Sequence, residues 1–149
     1  MNKINDDDVK NSLANTPQII FEVTDYCNLN CSYCGFGEMY ANHGERNALM
    51  MPKHYVQVVF DGLASLIEST PNIKHDSLLH VSFYGGEPLL NFSLIEYIVG
   101  YINSHPIQGR SVRYSFTTNG ILLHKYIDFL VEHNFEILIS LDGNRQGNR

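Results

Sequence analysis

Charge of one sign is scarce in this 149-residue chain: Lys and Arg together number 10 against 16 Asp and Glu, for a formal net charge of -6. A general nucleic-acid binder needs a basic face, so that class is excluded. Long apolar runs are missing as well. None approaches the roughly 18 residues of a membrane span, and Asp6, Asp7 and Asp8 stand where the apolar core of a signal peptide would be. A soluble, cytoplasmic chain without membrane partners is the expectation. Cysteine is sparse and odd in number: Cys27, Cys31 and Cys34, all within eight consecutive residues. An odd count excludes a closed disulfide framework, and clustering without a secretory signal reads as metal or cluster ligation. No low-complexity segment is present.

What is there suffices for one domain. The hydrophobic fraction is 44%, ordinary for a globular protein with a core of its own. Residues 1–17 form a polar lead-in, loosely ordered or a short helix or strand. Four strand-like runs follow, Gln18–Thr24, Leu78–Tyr84, Ser111–Thr117 and Glu136–Leu141. Helical spacing separates them: Tyr55, Val58, Val59, Leu63, Leu66 and Ile67 behind Pro52; then Leu94, Ile95, Ile98, Val99 and Ile102; then Leu122, Leu123, Ile127, Leu130 and Val131. This alternation predicts right-handed βαβ units and a parallel sheet.

The strands alternate in polarity. One phase is apolar: Phe21 and Val23, Val81 and Phe83, Tyr114 and Phe116, Ile139 and Leu141. The other is more polar: Glu22 and Thr24, Ser82 and Tyr84, Ser115 and Thr117, Ser140 and Asp142. Period-two geometry sends the two sets to opposite faces. The apolar phase is expected under the helices and the polar phase on a concave, wetter inner face, as in an open partial barrel; a flat sheet with one wet face is the plainer alternative. Turn residues follow every strand: the cysteine loop, Gly85-Gly86-Glu87-Pro88, Asn119-Gly120 and Asp142-Gly143. In parallel α/β folds ligands bind at the carboxyl ends of the strands, and all four segments fall on that edge.

The cysteines stand in the spacing C-x3-C-x2-C. Thiolates hold iron–sulfur clusters, usually in fours, so three leave one iron without a protein ligand, and an open metal position is what catalysis needs. Zinc is the other reading, with His43 as fourth ligand, although zinc sites favour a second ligand pair that the sequence does not supply. Taken singly, the remaining motifs have ordinary readings: Gly85-Gly86 as a tight turn, Glu87 as a helix N-terminal charge, Asn119 as a cap, Asp142-Gly143 as a turn. His80 and His124 read as solvated or hydrogen-bonded rather than ligating.

Together, Cys27-x3-Cys31-x2-Cys34 with Tyr33 before the last cysteine, then Gly85-Gly86-Glu87-Pro88, Thr117-Thr118-Asn119-Gly120 and Ser140-Leu141-Asp142-Gly143, resemble the radical S-adenosylmethionine (radical SAM) superfamily. The likeness is to its peptide- and protein-modifying branch, whose members often carry a C-terminal SPASM domain, and it runs from about Ile19 to Gly143. The resemblance implies that Cys27, Cys31 and Cys34 ligate three irons of a [4Fe–4S] cluster, whose open iron takes the amino and carboxylate groups of S-adenosylmethionine. Tyr33 would lie near the adenine. Gly85, Gly86 and Glu87 would receive the methionine amino group, largely through backbone carbonyls. Asn119, Ser140 and Asp142 would contact the ribose or carboxylate region. It implies an enzyme that generates a 5′-deoxyadenosyl radical to modify a peptide or protein, fed by an external electron donor.

The family core has more βα units than the four patterns found here. The expectation is therefore an α/β fold forming an incomplete parallel (β/α) partial barrel of about four βα units, with the polar lead-in over 1–17 and a truncated core over 18–149. An unpaired last strand invites a completing chain or self-association. A non-catalytic fragment that binds a cluster without turnover is the alternative function.

Overall fold

The structure is a computed structural model, and it describes residues 3–31, 33–35, 47–74 and 76–141. The polar lead-in is a helix, α1 (Asp6–Ala14). A capping box starts it: the Asn5 side chain accepts from Asp8 N–H, and the Asp8 carboxylate accepts from Asn5 N–H. Three aspartates in its first turn complement the helix dipole. α1 packs on α2 (His54–Ser69).

The strands are β1 (Gln18–Thr24), β2 (Ser77–Gly85), β3 (Arg110–Thr118) and β4 (Glu136–Ile139), all parallel in the order β1-β2-β3-β4. α2, α3 (Phe92–Ser104) and α4 (Leu123–Glu132) connect them, with a 3-10 turn at Pro88–Asn91 before α3. In a sheet of sequential order, right-handed crossovers all fall on one face, so one face is covered and the other is left open. Phe21, Val23, Leu79, Val81, Phe83, Tyr114 and Phe116 are buried on the covered side. Their register is exact enough to align rings: Phe21 pairs with Phe83, and Phe83 with Phe116. Phe135 closes the cluster, 6.0 Å from Phe83 and 5.2 Å from Tyr114 between ring centroids.

The open face carries the polar phase, and its groups pair across strands. Gln18 Nε2 donates to Ser82 Oγ, which lies 2.7 Å from Ser115 Oγ, and Arg113 meets Glu136 at 3.0 Å. Two positions depart from the expected polarity. Ile20 and Leu138 are 60% and 66% exposed on this face, where they border a concavity of about 380 Å3.

Two expected helix faces are met only in part. In α2 the buried residues are Val56, Phe60, Leu63 and Ile67, while Tyr55 and Val58 are exposed. Phe60 decides which face is buried by reaching Phe21 and Tyr101, each at 5.8 Å. In α4 only Leu130 of the expected set is buried, and Ile127 and Val131 are exposed; Tyr126 and Phe129 pack instead on Phe92. α3 buries its whole expected face. Ile139 and Leu141 belong to the helix-side phase but are 42% and 78% exposed, because no helix among the described residues covers the end of β4.

Candidate active site

The site is built at the carboxyl edge of the sheet, where β1 runs into the cysteine loop. Thr24 and Asp25 hold the two ends of that loop together. Thr24 Oγ1 donates to the Leu49 carbonyl and accepts from Tyr26 N–H. The Asp25 carboxylate accepts from Leu49 N–H at 2.6 Å and Asn47 N–H at 3.0 Å. Met51 N–H closes the return onto the Val23 carbonyl. Within the loop, Cys34 N–H donates to the Cys31 carbonyl and Leu29 N–H to Cys27 Sγ. All three cysteines are partly buried, and none is in a disulfide.

The Gly85-Gly86-Glu87 turn docks directly against the start of this loop. Gly86 N–H donates to the Thr24 carbonyl at 2.9 Å and Glu87 N–H to the Tyr26 carbonyl at 2.8 Å. The contact is so close that a Cβ on Gly86 would stand 2.2 Å from Tyr26 O, and one on Gly85 2.0 Å from Thr24 O. Gly85 is also at φ 131°, a conformation for which glycine is the ordinary choice. The glycines therefore serve backbone-to-backbone approach.

Glu87 is 1% exposed, and its carboxylate lies under the floor of the site. Oε1 accepts from Thr118 Oγ1 at 2.8 Å and Leu89 N–H at 3.1 Å, and Oε2 accepts from Asn119 N–H at 2.8 Å. The expected N-terminal role is thus present, as the cap of the 3-10 turn, but the same group also fastens β2 to β3. Asn119 in turn reaches the cysteine loop: Nδ2 donates to Asn28 Oδ1 at 2.8 Å and lies 3.9 Å from Cys27 Sγ, while Oδ1 accepts from Ile121 N–H. Ser140 N–H donates to the Thr118 carbonyl and brings β4 to the same edge.

These segments enclose a cavity of about 230 Å3 whose lining includes Cys27, Cys31, Tyr33, Gly85, Gly86, Asn119 and Ser140. The structure brings those expected residues together. Glu87 is buried next to the cavity without lining it, and Cys34 is not among the lining residues, its N–H bonding back to the Cys31 carbonyl. Asp142 and His43 lie outside the described residues. Thr24, Asp25, Asn28 and Thr118 are structural members of the site to which sequence reasoning assigned no site role. Thr118 stood inside a recognised motif, while Asp25 and Asn28 had only proximity to the cysteines to mark them.

Among the described residues, no three His, Cys, Asp or Glu side chains stand together as the ligands of one ion. A cluster takes each thiolate on a different iron and so needs donors spread further apart than a single ion does. Three cysteines on one loop, two of them lining the cavity, fit such a group.

A one-sided parallel sheet with a cysteine loop and a glycine turn meeting at its carboxyl edge defines a partial (β/α) barrel with a cavity at that edge. The chain belongs to the radical SAM superfamily, whose family model matches residues 21–146. It is 35% identical over 126 residues to an uncharacterized protein, MJ0907, of Methanocaldococcus jannaschii, covering 84% of this chain and 38% of that protein. It is 26% identical to the cysteine-type anaerobic sulfatase-maturating enzyme of Clostridium novyi (80% of this chain, 30% of that one). It is 30% identical to the GTP 3′,8-cyclase of Alkaliphilus oremlandii (80% and 33%). The solved structure of native anSMEcpe with bound AdoMet superposes with a TM-score of 0.69 at 21% identity, over 88% of this chain and 34% of that one, which shows the fold. The chain thus spans about a third of the length of these relatives. Members of the superfamily are enzymes, and the family implies a [4Fe–4S] cluster and S-adenosylmethionine. Among the described residues, no helix is long and apolar enough to cross a membrane.

Proposed function

We propose that this chain holds a [4Fe–4S] cluster through Cys27, Cys31 and Cys34 and S-adenosylmethionine in the adjoining cavity, as the radical-generating part of an enzyme that modifies a peptide or protein. The observation that carries the reading is the convergence of Cys27, Cys31, Gly85, Gly86, Asn119 and Ser140 on one cavity. When bound, the pair supplies one-electron cleavage of the sulfonium to a 5′-deoxyadenosyl radical, after reduction by an external donor. The chain's own residues position and shield. Gly86 and Glu87 spend their N–H groups on the Thr24 and Tyr26 carbonyls, so backbone carbonyls are what the turn would offer to a ligand ammonium. Tyr33 and Tyr84 stand on the cavity wall as flat apolar surfaces for a base. Glu87 and Thr118 keep the floor rigid, and Ser140 offers a hydroxyl at the rim.

The substrate part of the proposal rests on the likeness to the sulfatase-maturating enzyme and on the open face beside the cavity, where Ile20 and Leu138 offer apolar contact and the Arg113–Glu136 pair charge. The likeness to the GTP cyclase favours a second reading, a nucleotide substrate on that same face. Electron paramagnetic resonance of the anaerobically reconstituted, reduced chain tests the cofactor reading. A [4Fe–4S] signal that changes on adding S-adenosylmethionine, followed by 5′-deoxyadenosine release with reductant, is the expected outcome. A cluster signal indifferent to S-adenosylmethionine makes the chain a cluster-binding fragment without turnover. Zinc with neither iron nor sulfide overturns the cluster.

A further inference from the structure

We infer that Asn119 is a positioning residue for the cluster: its side-chain amide is aimed at the Cys27 sulfur and, by hydrogen-bonding to it, raises the reduction potential. The inference rests on the proposed cluster and goes beyond it by assigning Asn119 to the sulfur rather than to the ribose or carboxylate of the cosubstrate.

Three observations fix the direction of that amide. Asn119 Oδ1 is engaged by Ile121 N–H at 3.0 Å, which closes a local turn and determines which end of the amide faces away. The opposite end, Nδ2, donates to Asn28 Oδ1 at 2.8 Å and points past it to Cys27 Sγ at 3.9 Å. The residue's own N–H is held by the buried Glu87 carboxylate at 2.8 Å, so the backbone carrying the amide is anchored in the floor of the site. Cys27 Sγ receives a second N–H, from Leu29 at 3.4 Å, while Asn28 Oδ1 stands 4.0 Å away with the Asn119 amide bound to it. A donor directed at a ligand sulfur stabilises the more negative, reduced cluster more than the oxidised one. Removing it lowers the potential.

The test is a redox titration of the reconstituted chain followed by the [4Fe–4S] signal, without S-adenosylmethionine, on wild type, Asn119→Ala and Asn119→Ser. The serine variant can keep the turn to Ile121 while deleting the amide donor, which guards against a collapse of the loop. Iron and sulfide content is measured on each. At the potential where wild type is half reduced, both variants are expected to show a reduced-to-oxidised ratio about threefold lower, which at about 59 mV per decade is a shift of about 28 mV. Unchanged potentials in loaded variants overturn the inference and leave the functional reading standing. If the response to S-adenosylmethionine is then also lost, Asn119 is a cosubstrate contact instead. A wild-type chain that takes up no cluster overturns both.

Discussion

Replacing Gly86 by alanine tests how the site is held together. Gly86 lies where the turn after β2 meets the start of the cysteine loop, and an added Cβ would stand 2.2 Å from Tyr26 O, 2.5 Å from Tyr26 C and 2.7 Å from Asp25 O. All three are backbone atoms, so no side chain can swing aside. The two segments have to part, and the bonds Gly86 N–H to Thr24 O and Glu87 N–H to Tyr26 O are the first lost. At about 1 kcal/mol net for each hydrogen bond, plus the cost of displacing the buried Glu87, the variant is expected to lose about 2–4 kcal/mol in urea unfolding. It should also load less iron and sulfide, because the loop carrying Cys27 moves with Tyr26. Gly100→Ala is the control: that glycine sits exposed in α3 with nothing within 4 Å of its would-be Cβ, so about 0.5–1 kcal/mol of stabilisation is expected from helix propensity. Equal stability and cluster content in Gly86→Ala and wild type would refute the docking argument.

Other perturbations probe the floor and the core. Glu87→Gln turns a donor toward either Asn119 N–H or Thr118 Oγ1 and is expected to cost about 1–3 kcal/mol; in a double-mutant cycle with Thr118→Val the two losses should be less than additive, since they share one bond. Phe83→Ala empties a side chain that is 1% exposed between Phe21 and Phe135 and should cost about 3–5 kcal/mol by chemical denaturation. Burial pushes the Tyr114 hydroxyl up to about 12 from the usual value near 10. A raised folded value means stability complete below pH 10 and lost as pH climbs towards 12, by about 2 kcal/mol. Tyr101, raised by its hydrogen bond to Asp61 and then by burial, acts in the same direction. Denaturant midpoints at pH 9 and 11.5 should therefore differ less in Tyr114→Phe than in wild type.

The fold was legible where one physical rule dominated. The strand faces follow from period two because a sheet with helices on one side sorts polarity cleanly, and α3 follows because its apolar stripe is unambiguous. The stripes of α2 and α4 are legible only in part: Leu63, Ile67 and Leu130 are buried as the spacing indicates, but aliphatic residues occupy two overlapping faces and a bulky ring chooses between them, Phe60 against Phe21 in α2 and Phe129 against Phe92 in α4. Ile20 and Leu138 escaped the polarity pattern on the open face, where an apolar residue can remain exposed without unfolding anything.

The site divides along the same line. Which segments meet was readable from their common position after the strands, a consequence of topology. How they are fastened was not, because it depends on burial that spacing does not reveal. A glutamate after two glycines reads as a helix N-terminal charge, and Glu87 is that, yet it is also covered and spends both carboxylate oxygens on the end of β3 and its own turn. That placement has a functional consequence. A buried acceptor shared by Thr118, Leu89 and Asn119 is costly to leave half satisfied, so the turn after β2 and the end of β3 keep one arrangement. Asn119 passes that arrangement on to Asn28 and Cys27. The segment carrying Cys27 is thereby held by contacts of the protein itself, which lowers the ordering cost that binding a cofactor there would otherwise carry.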